Sequence, residues 1–192
     1  MTTHTPFGTA DQLAEYTHEV LAQMIAVIQP YMGGTRQGYA EHIGPHMRHV
    51  IEHYETLGRA LRLTSSAQAL TATVDYDARE RDPLVETHPD VAVGRVRRLQ
   101  QWLRTVGGLD VDVLAQAVQV QLRGGVHGEN NFNCTSTVAR ELMFLNSHTT
   151  HHFAVLQGYA KQRGESLGAG LGKAPATVAH ERQQLENQHA NA

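Results

Sequence analysis

A chain of 192 residues is the size of one domain with an appended segment, and at that length folding buries roughly 70% of the unfolded surface, so no disulfide or structural metal is needed to hold a core. The balance of 16 Lys and Arg against 19 Asp and Glu, net −3, leaves no basic footprint for nucleic acid or an anionic membrane. The single cysteine, Cys134, cannot close an intramolecular disulfide, the first ten residues lack a signal-peptide pattern, and the apolar run Leu21–Ile28 falls far short of the ~20 residues of a membrane span, so a cytoplasmic protein is expected.

Residues 9–29 are predicted as a first helix, since Leu13, Val20, Leu21, Met24, Ile25 and Ile28 recur at helical spacing behind a Thr9…Gln12 capping box. Pro30 and Gly33-Gly34 stop it. A Gly-rich polar loop is expected to reach Gly44, after which Pro45 opens a second helix to about Leu63 with Met47, Val50, Ile51, Tyr54, Leu57 and Leu61 on one stripe. No period holds from Thr64 to His88, which predicts a long irregular connection of mixed charge around Asp75–Pro83. A third helix follows from Pro89 to about Val106, with Arg95, Arg97, Arg98 and Arg104 outward and Gly107-Gly108 as its stop. The alternation in Ala117–Arg123 predicts a short strand or hairpin arm before Gly124-Gly125. The fourth helix is expected from Thr135–Thr137 to about Arg163, roughly 40 Å at ~1.5 Å per residue. Residues 164–192, poor in apolar side chains, are expected as a partly disordered tail behind one domain over 1–163. The fold class is therefore all-α, a four-helix bundle with long crossovers and a short β arm.

Thirteen histidines in one chain call for an explanation. His148 and His152 are four apart in a helix, so they share a face and can share a metal, with His151 flanking. On the second helix His46, His49 and His53 are spaced three and four apart, again on one face. Imidazole is a common ligand for Zn²⁺, Ni²⁺ and Fe²⁺, and three histidines leave positions open for water or substrate, the arrangement of a catalytic site. Bundle-face histidines with ordinary hydrogen-bond partners are the plain alternative.

The run Ile43-Gly44-Pro45-His46-Met47-Arg48-His49-Val50, with Ser136–Leu142 leading into His148-Thr149-Thr150-His151-His152, resembles the DinB superfamily of metal-binding four-helix bundles. The Tyr76–Asp82 and Arg140–Phe144 segments are similar to a bacterial subgroup within it. The resemblance covers most of residues 10–163 and implies His49, His148 and His152 as ligands of one transition metal, Zn or Ni first and Fe next. It implies a small-molecule substrate and either hydrolysis or transfer involving a low-molecular-weight thiol such as bacillithiol or mycothiol. His53, His46 and Glu141 are the candidates for a catalytic base, each with an alternative role in orienting a ligand. A homodimer through exposed apolar positions is plausible, and a non-catalytic metal-binding or stress-linked bundle is the alternative function.

Other patterns compete less well. His49-Val50-Ile51-Glu52-His53 matches the inverted zincin motif with Glu52 as base, but that reading leaves His148 and His152 unused. Glu15-Tyr16-Thr17-His18 is a single Glu-x-x-His, where a di-iron bundle needs two. Cys134 before a helix start reads as structural, and Asn133-Cys134-Thr135 carries no glycan in a cytoplasmic chain. Arg79, Arg81 and Arg140 could bind an anion, although the acidic neighbours Asp75, Asp77, Glu80 and Asp82 favour an internal ion-pair network.

Overall fold

The computed structural model describes residues 9–34, 36–65, 71–107 and 111–190, and within them the chain is mostly helical with one small sheet. Helix α1, Ala10–Ile28, starts on the expected capping box: Thr9 Oγ1 accepts the Gln12 amide at 3.3 Å and Gln12 Oε1 accepts the Thr9 amide at 2.7 Å. Its buried face is Thr17, Val20, Leu21, Met24, Val27 and Ile28, and a 3-10 turn over Gln29–Tyr31 closes it at the expected proline.

The stretch expected as a loop is largely helical. A short α2, Arg36–Gly38, runs into a π-helical segment, Tyr39–Ile43, and from there into α3, Gly44–Ser65. The glycines and polar residues hide this helix from a periodicity argument, because only Tyr39 and Ile43 of the segment are buried. Tyr39 is fixed by its hydroxyl, which donates to the Val85 carbonyl at 3.0 Å.

The connection between the second and third long helices also holds order that the sequence pattern did not reveal. It contains strand β1, Ala72–Asp75, and helix α4, Pro83–Thr87, whose N-cap Asp82 accepts the Leu84 amide at 2.9 Å. β1 is only four residues long and pairs in parallel with a strand more than 40 residues away, so its signal is tertiary. Helix α5, Pro89–Gly107, follows as expected; Gly108 of its expected stop lies outside the described residues, as does most of the N-terminal stretch read for a signal peptide. Arg97, Arg98 and Arg104 point outward, but the Arg95 side chain is only 12% exposed because it turns into a carboxylate cluster.

After the short α6, Val111–Ala115, comes the predicted arm as a full hairpin: β2, Ala117–Gly124, pairs antiparallel with β3, Asn130–Thr137, giving the sheet order β1-β2-β3. Val118 and Val120 of β2 point into the core, whereas β3 is exposed along most of its length. Helix α7, Val138–Gln162, begins slightly later than expected because Thr135–Thr137 are still paired with β2. Thr137 Oγ1 accepts the Arg140 amide at 3.2 Å at the changeover.

The chain divides into two compact units, cut between Asn146 and Ser147. In the first, α1 and α3 pack on α5, α3 also packs on β1, and Leu21, Met24, Met47, Ile51, Leu57 and Val96 form the core. The second comprises the remainder of α7, a glycine-rich segment and α8, Pro175–Ala190, a helix within the stretch expected as a partly disordered tail. Good helix formers such as Ala, Gln, Glu and Arg account for α8, since its described side chains are exposed and no apolar stripe anchors it. Gly172 packs so closely on α7 that a Cβ would lie 2.4 Å from the Ala154 amide nitrogen. Among the described residues no helix is long and apolar enough to cross a membrane.

Candidate functional site

The helical repeat of α3 places His46, His49, Glu52, His53 and Thr56 along one side of the helix. The His49 and His53 rings meet edge to face with centroids 4.4 Å apart. His53 is buried, and its Nδ1 lies 2.6 Å from the His49 carbonyl oxygen, a distance that requires Nδ1 to carry the proton and donate. Nε2 of His53 therefore bears the lone pair. Nη1 of Arg79 is also 3.4 Å from this Nδ1, but two donors cannot bond each other, so the contact is steric. The same Arg79 Nη1 donates a short hydrogen bond to Nδ1 of His49.

Tyr76, just beyond β1, covers the pair. Its ring stacks on His53 at 5.2 Å and 27°, and its hydroxyl donates to Glu141 Oε2 at 2.8 Å. Burial, and then the charge and hydrogen bond of Glu141, push the Tyr76 pKa well above that of a free phenol. Glu141, on the first turn of α7, is buried and accepts two further bonds at Oε1, from Ser136 Oγ at 2.6 Å and Arg140 Nη1 at 3.0 Å. The Arg140 guanidinium in turn lies 5.3 Å from the centroid of Phe144. These residues border a cavity of about 460 Å³ whose wall includes His53, Tyr76, Val120, Leu122, Arg123 and Cys134. A larger open depression of about 650 Å³ lies between the β1–α4 connection and the hairpin, with no histidine in its wall.

Glu52 is 1% exposed. Its Oε1 accepts the Asp82 amide at 2.7 Å, while its Oε2 is buried without a hydrogen-bond partner. The ion-pair network expected of Arg79, Arg81 and Arg140 is not the one that forms: Arg81 donates to the Arg79 and Asp77 carbonyls, Arg140 pairs with Glu141, and Glu80 and Asp82 pair instead with Arg95 of α5. Arg95 binds Glu55 through two nitrogens and Asp82 Oδ2 at 2.9 Å, with exposed Glu80 at 3.5 Å. The Glu55 bond accordingly raises the Arg95 pKa further.

Of the residues singled out in the sequence, His46, His49, His53 and Glu141 belong to the first unit, where His49 and His53 share a ring contact and Glu141 reaches them through Tyr76. His148, His151 and His152 belong to the second, on the continuation of α7. There the His148 and His152 rings are 4.6 Å apart, as their spacing predicts, and His151 is exposed with its ring 5.7 Å from His152. Tyr76 is not among the site residues singled out in the sequence, and Glu52 enters there only as the base of the inverted zincin pattern. For Glu52 the signal was its place three residues after His49, but for Tyr76 only the tertiary pairing of β1 reveals the role.

No family model matches the chain, and no solved structure matches it. It is similar to FK506-binding protein 5 of Rhizopus delemar, strain RA 99-880, at 22% identity over 121 residues. That similarity spans 62% of this chain and 30% of the relative's length.

Proposed function

We propose that this chain is a metal-dependent enzyme of the DinB type, which uses a divalent transition metal to hydrolyse a small molecule or to transfer a group to or from a low-molecular-weight thiol. In this reading α1, α3, α5 and α7 are the four helices of the bundle. The observation that carries it is the donor pair of the first unit, His49 and His53, whose rings meet 4.4 Å apart on α3; in this reading His148 is the third donor. The chemistry of that set fits the cation, since three neutral imidazoles suit Zn²⁺, Ni²⁺ or Fe²⁺ and leave coordination positions open. With His53 among the donors, His152 becomes the flanking residue and His46, half-buried one turn before His49, the candidate base.

A bound divalent cation would supply Lewis acidity, lowering the pKa of a water or thiol toward neutrality. The chain's own residues prepare the surroundings. The His53 Nδ1 bond to the His49 carbonyl directs Nε2 outward from α3, and the Tyr76 ring fixes the tilt of that imidazole. Glu141, occupied by Tyr76, Ser136 and Arg140, acts by holding Tyr76 in place. The cavity has the volume of a small-molecule site, with Val120, Leu122 and Phe144 for an apolar body and Arg123 and Arg140 for polar ends. That cavity favours an enzyme over a bundle that only stores or senses metal.

Elemental analysis of protein purified without a histidine tag tests the site. About one metal per chain is expected for the wild type and for His152→Ala, with loss in His49→Ala, His53→Ala and His148→Ala. Loss in His152→Ala with retention in His53→Ala would restore His49, His148 and His152 as the ligands. Full metal content in both His49→Ala and His148→Ala would overturn the site.

A further inference from the structure

Arg79 differs from Arg48, Arg59 and Arg95 in its charge partners. Arg48 pairs with Glu86, Arg59 with Glu80 at 3.6 Å, and Arg95 with Glu55 and Asp82. Arg79 follows Asp75 and Asp77 and precedes Glu80 and Asp82, yet it forms no ion pair among the described residues. Its Nη1 bonds an imidazole, and its Nε, like that of Arg48, is buried with no hydrogen-bond partner. Glu52 has the complementary defect, a buried Oε2 with no hydrogen bond. A guanidinium N–H and a carboxylate oxygen left unsatisfied in the same region are both costly, and each is the natural partner of the other. Their charges already sense one another. Burial and then Arg81 lower the Arg79 pKa, while Glu52 is the leading influence that opposes them.

Elementary imidazole chemistry then limits what can happen at His49. A neutral imidazole has one nitrogen lone pair, and in this structure Nδ1 offers it to Arg79. A metal bound at Nδ1 would take the lone pair directly. A metal bound at Nε2 would require the ring proton to move to Nδ1, where it would oppose the Arg79 donor. By either route, coordination by His49 expels Arg79.

We propose that Arg79 and Glu52 form a positioning pair that sets the metal affinity of the site: Arg79 competes with the metal for His49, and on metal entry its guanidinium passes to Glu52 Oε2. The inference rests on the metal-site reading above. Released from His49, Arg79 gains the carboxylate partner that it lacks, and the orphaned Glu52 oxygen is satisfied in the same movement. Arg79 is thus a competing cation at His49, and Glu52 is the residue that receives it.

Zinc titration of the full-length chain against a chromophoric chelator tests this, with Zn²⁺ alone as the probe. Arg79→Met removes the competitor and is expected to bind Zn²⁺ about tenfold more tightly than wild type, the scale of one charge-assisted hydrogen bond. Glu52→Gln keeps an acceptor for the Asp82 amide but not the charge, and is expected to bind at least about threefold more weakly. The decisive reading is the double variant, in which Glu52→Gln should have no further effect once Arg79 is gone. Arg79→Gln serves if the methionine variant does not fold, and far-UV circular dichroism checks each protein. Equal affinity in wild type and both Arg79 variants, or a Glu52→Gln effect that persists without Arg79, overturns the pair while leaving the metal site standing. Absence of zinc binding in the wild type and in folded His-intact variants overturns the metal site itself, and this inference with it.

Discussion

Asn146 joins three helices through one buried amide. Its Oδ1 accepts the Tyr54 hydroxyl at 2.9 Å, its Nδ2 donates to Thr17 Oγ1 at 2.9 Å, and Thr17 passes its own proton to the Leu13 carbonyl at 2.8 Å. The chain ties α7 to α3 and α1 inside the first unit, with Thr17, Tyr54 and Asn146 all fully buried. Asn146→Ala leaves two buried groups without their partner and is expected to cost about 2–4 kcal/mol, read as a lower urea midpoint at unchanged slope. Tyr54→Phe, which deletes one of these bonds, should cost about half as much. Nothing in the sequence marked Asn146, because a polar residue beside Leu142 and Leu145 reads as the outward edge of a helix stripe. Histidines behave differently. Their number and spacing made His49, His53, His148 and His152 visible at once, since i and i+4 on a helix must share a face.

At the scale of elements, the junction of α3 and α4 depends on the absence of one atom. A Cβ on Gly44 would lie 1.8 Å from the Glu86 carbonyl oxygen and 2.7 Å from its carbon, both backbone atoms. The conflict is one of approach, because Gly44 has ordinary helical dihedrals, φ −54 and ψ −46. Gly44→Ala must push α4 away from α3, and with it the Arg48–Glu86 pair and the Tyr39 bond to Val85. A loss of about 3 kcal/mol, at the upper end of overpacking effects, is expected in the same denaturation assay. Read from sequence, Gly44 was only the end of a loop before Pro45. The long helices α1, α3, α5 and α7 were legible because each carries its own apolar period and its own start or stop residues. β1 and α4 were not, since four or five residues hold no period and both exist through what they pair with or cap. The hairpin lay between these cases: alternation in β2 exposed it, while the polar β3, Asn130–Thr137, showed no pattern of its own.

For the molecule as a whole, two of the buried phenols, Tyr39 and Tyr76, make stability depend on alkaline pH. Burial and then Glu86 raise the pKa of Tyr39, and burial and then Glu141 raise that of Tyr76. In the unfolded chain both ionise near the ordinary phenol value of about 10, while in the folded chain both stay protonated well beyond it. The unfolded state therefore loses protons first, so this contribution is complete below pH 10 and falls as the pH rises above it. The urea midpoint should decline above pH 10, and Tyr76→Phe should make that decline shallower relative to its own neutral value. The sequence by itself determined a mostly helical chain, with four long amphipathic segments and two histidine-bearing helices. Those properties are local, because helical periodicity, caps and i to i+4 spacing are each complete within one stretch of chain. Only the tertiary structure decided that Tyr76 stacks on His53, that Glu141 holds Tyr76, and that Arg79 bonds His49 while Glu52 keeps an unsatisfied oxygen. Those contacts join residues up to 65 positions apart, and burial and pairing between distant segments leave no trace in the periodicity of either one.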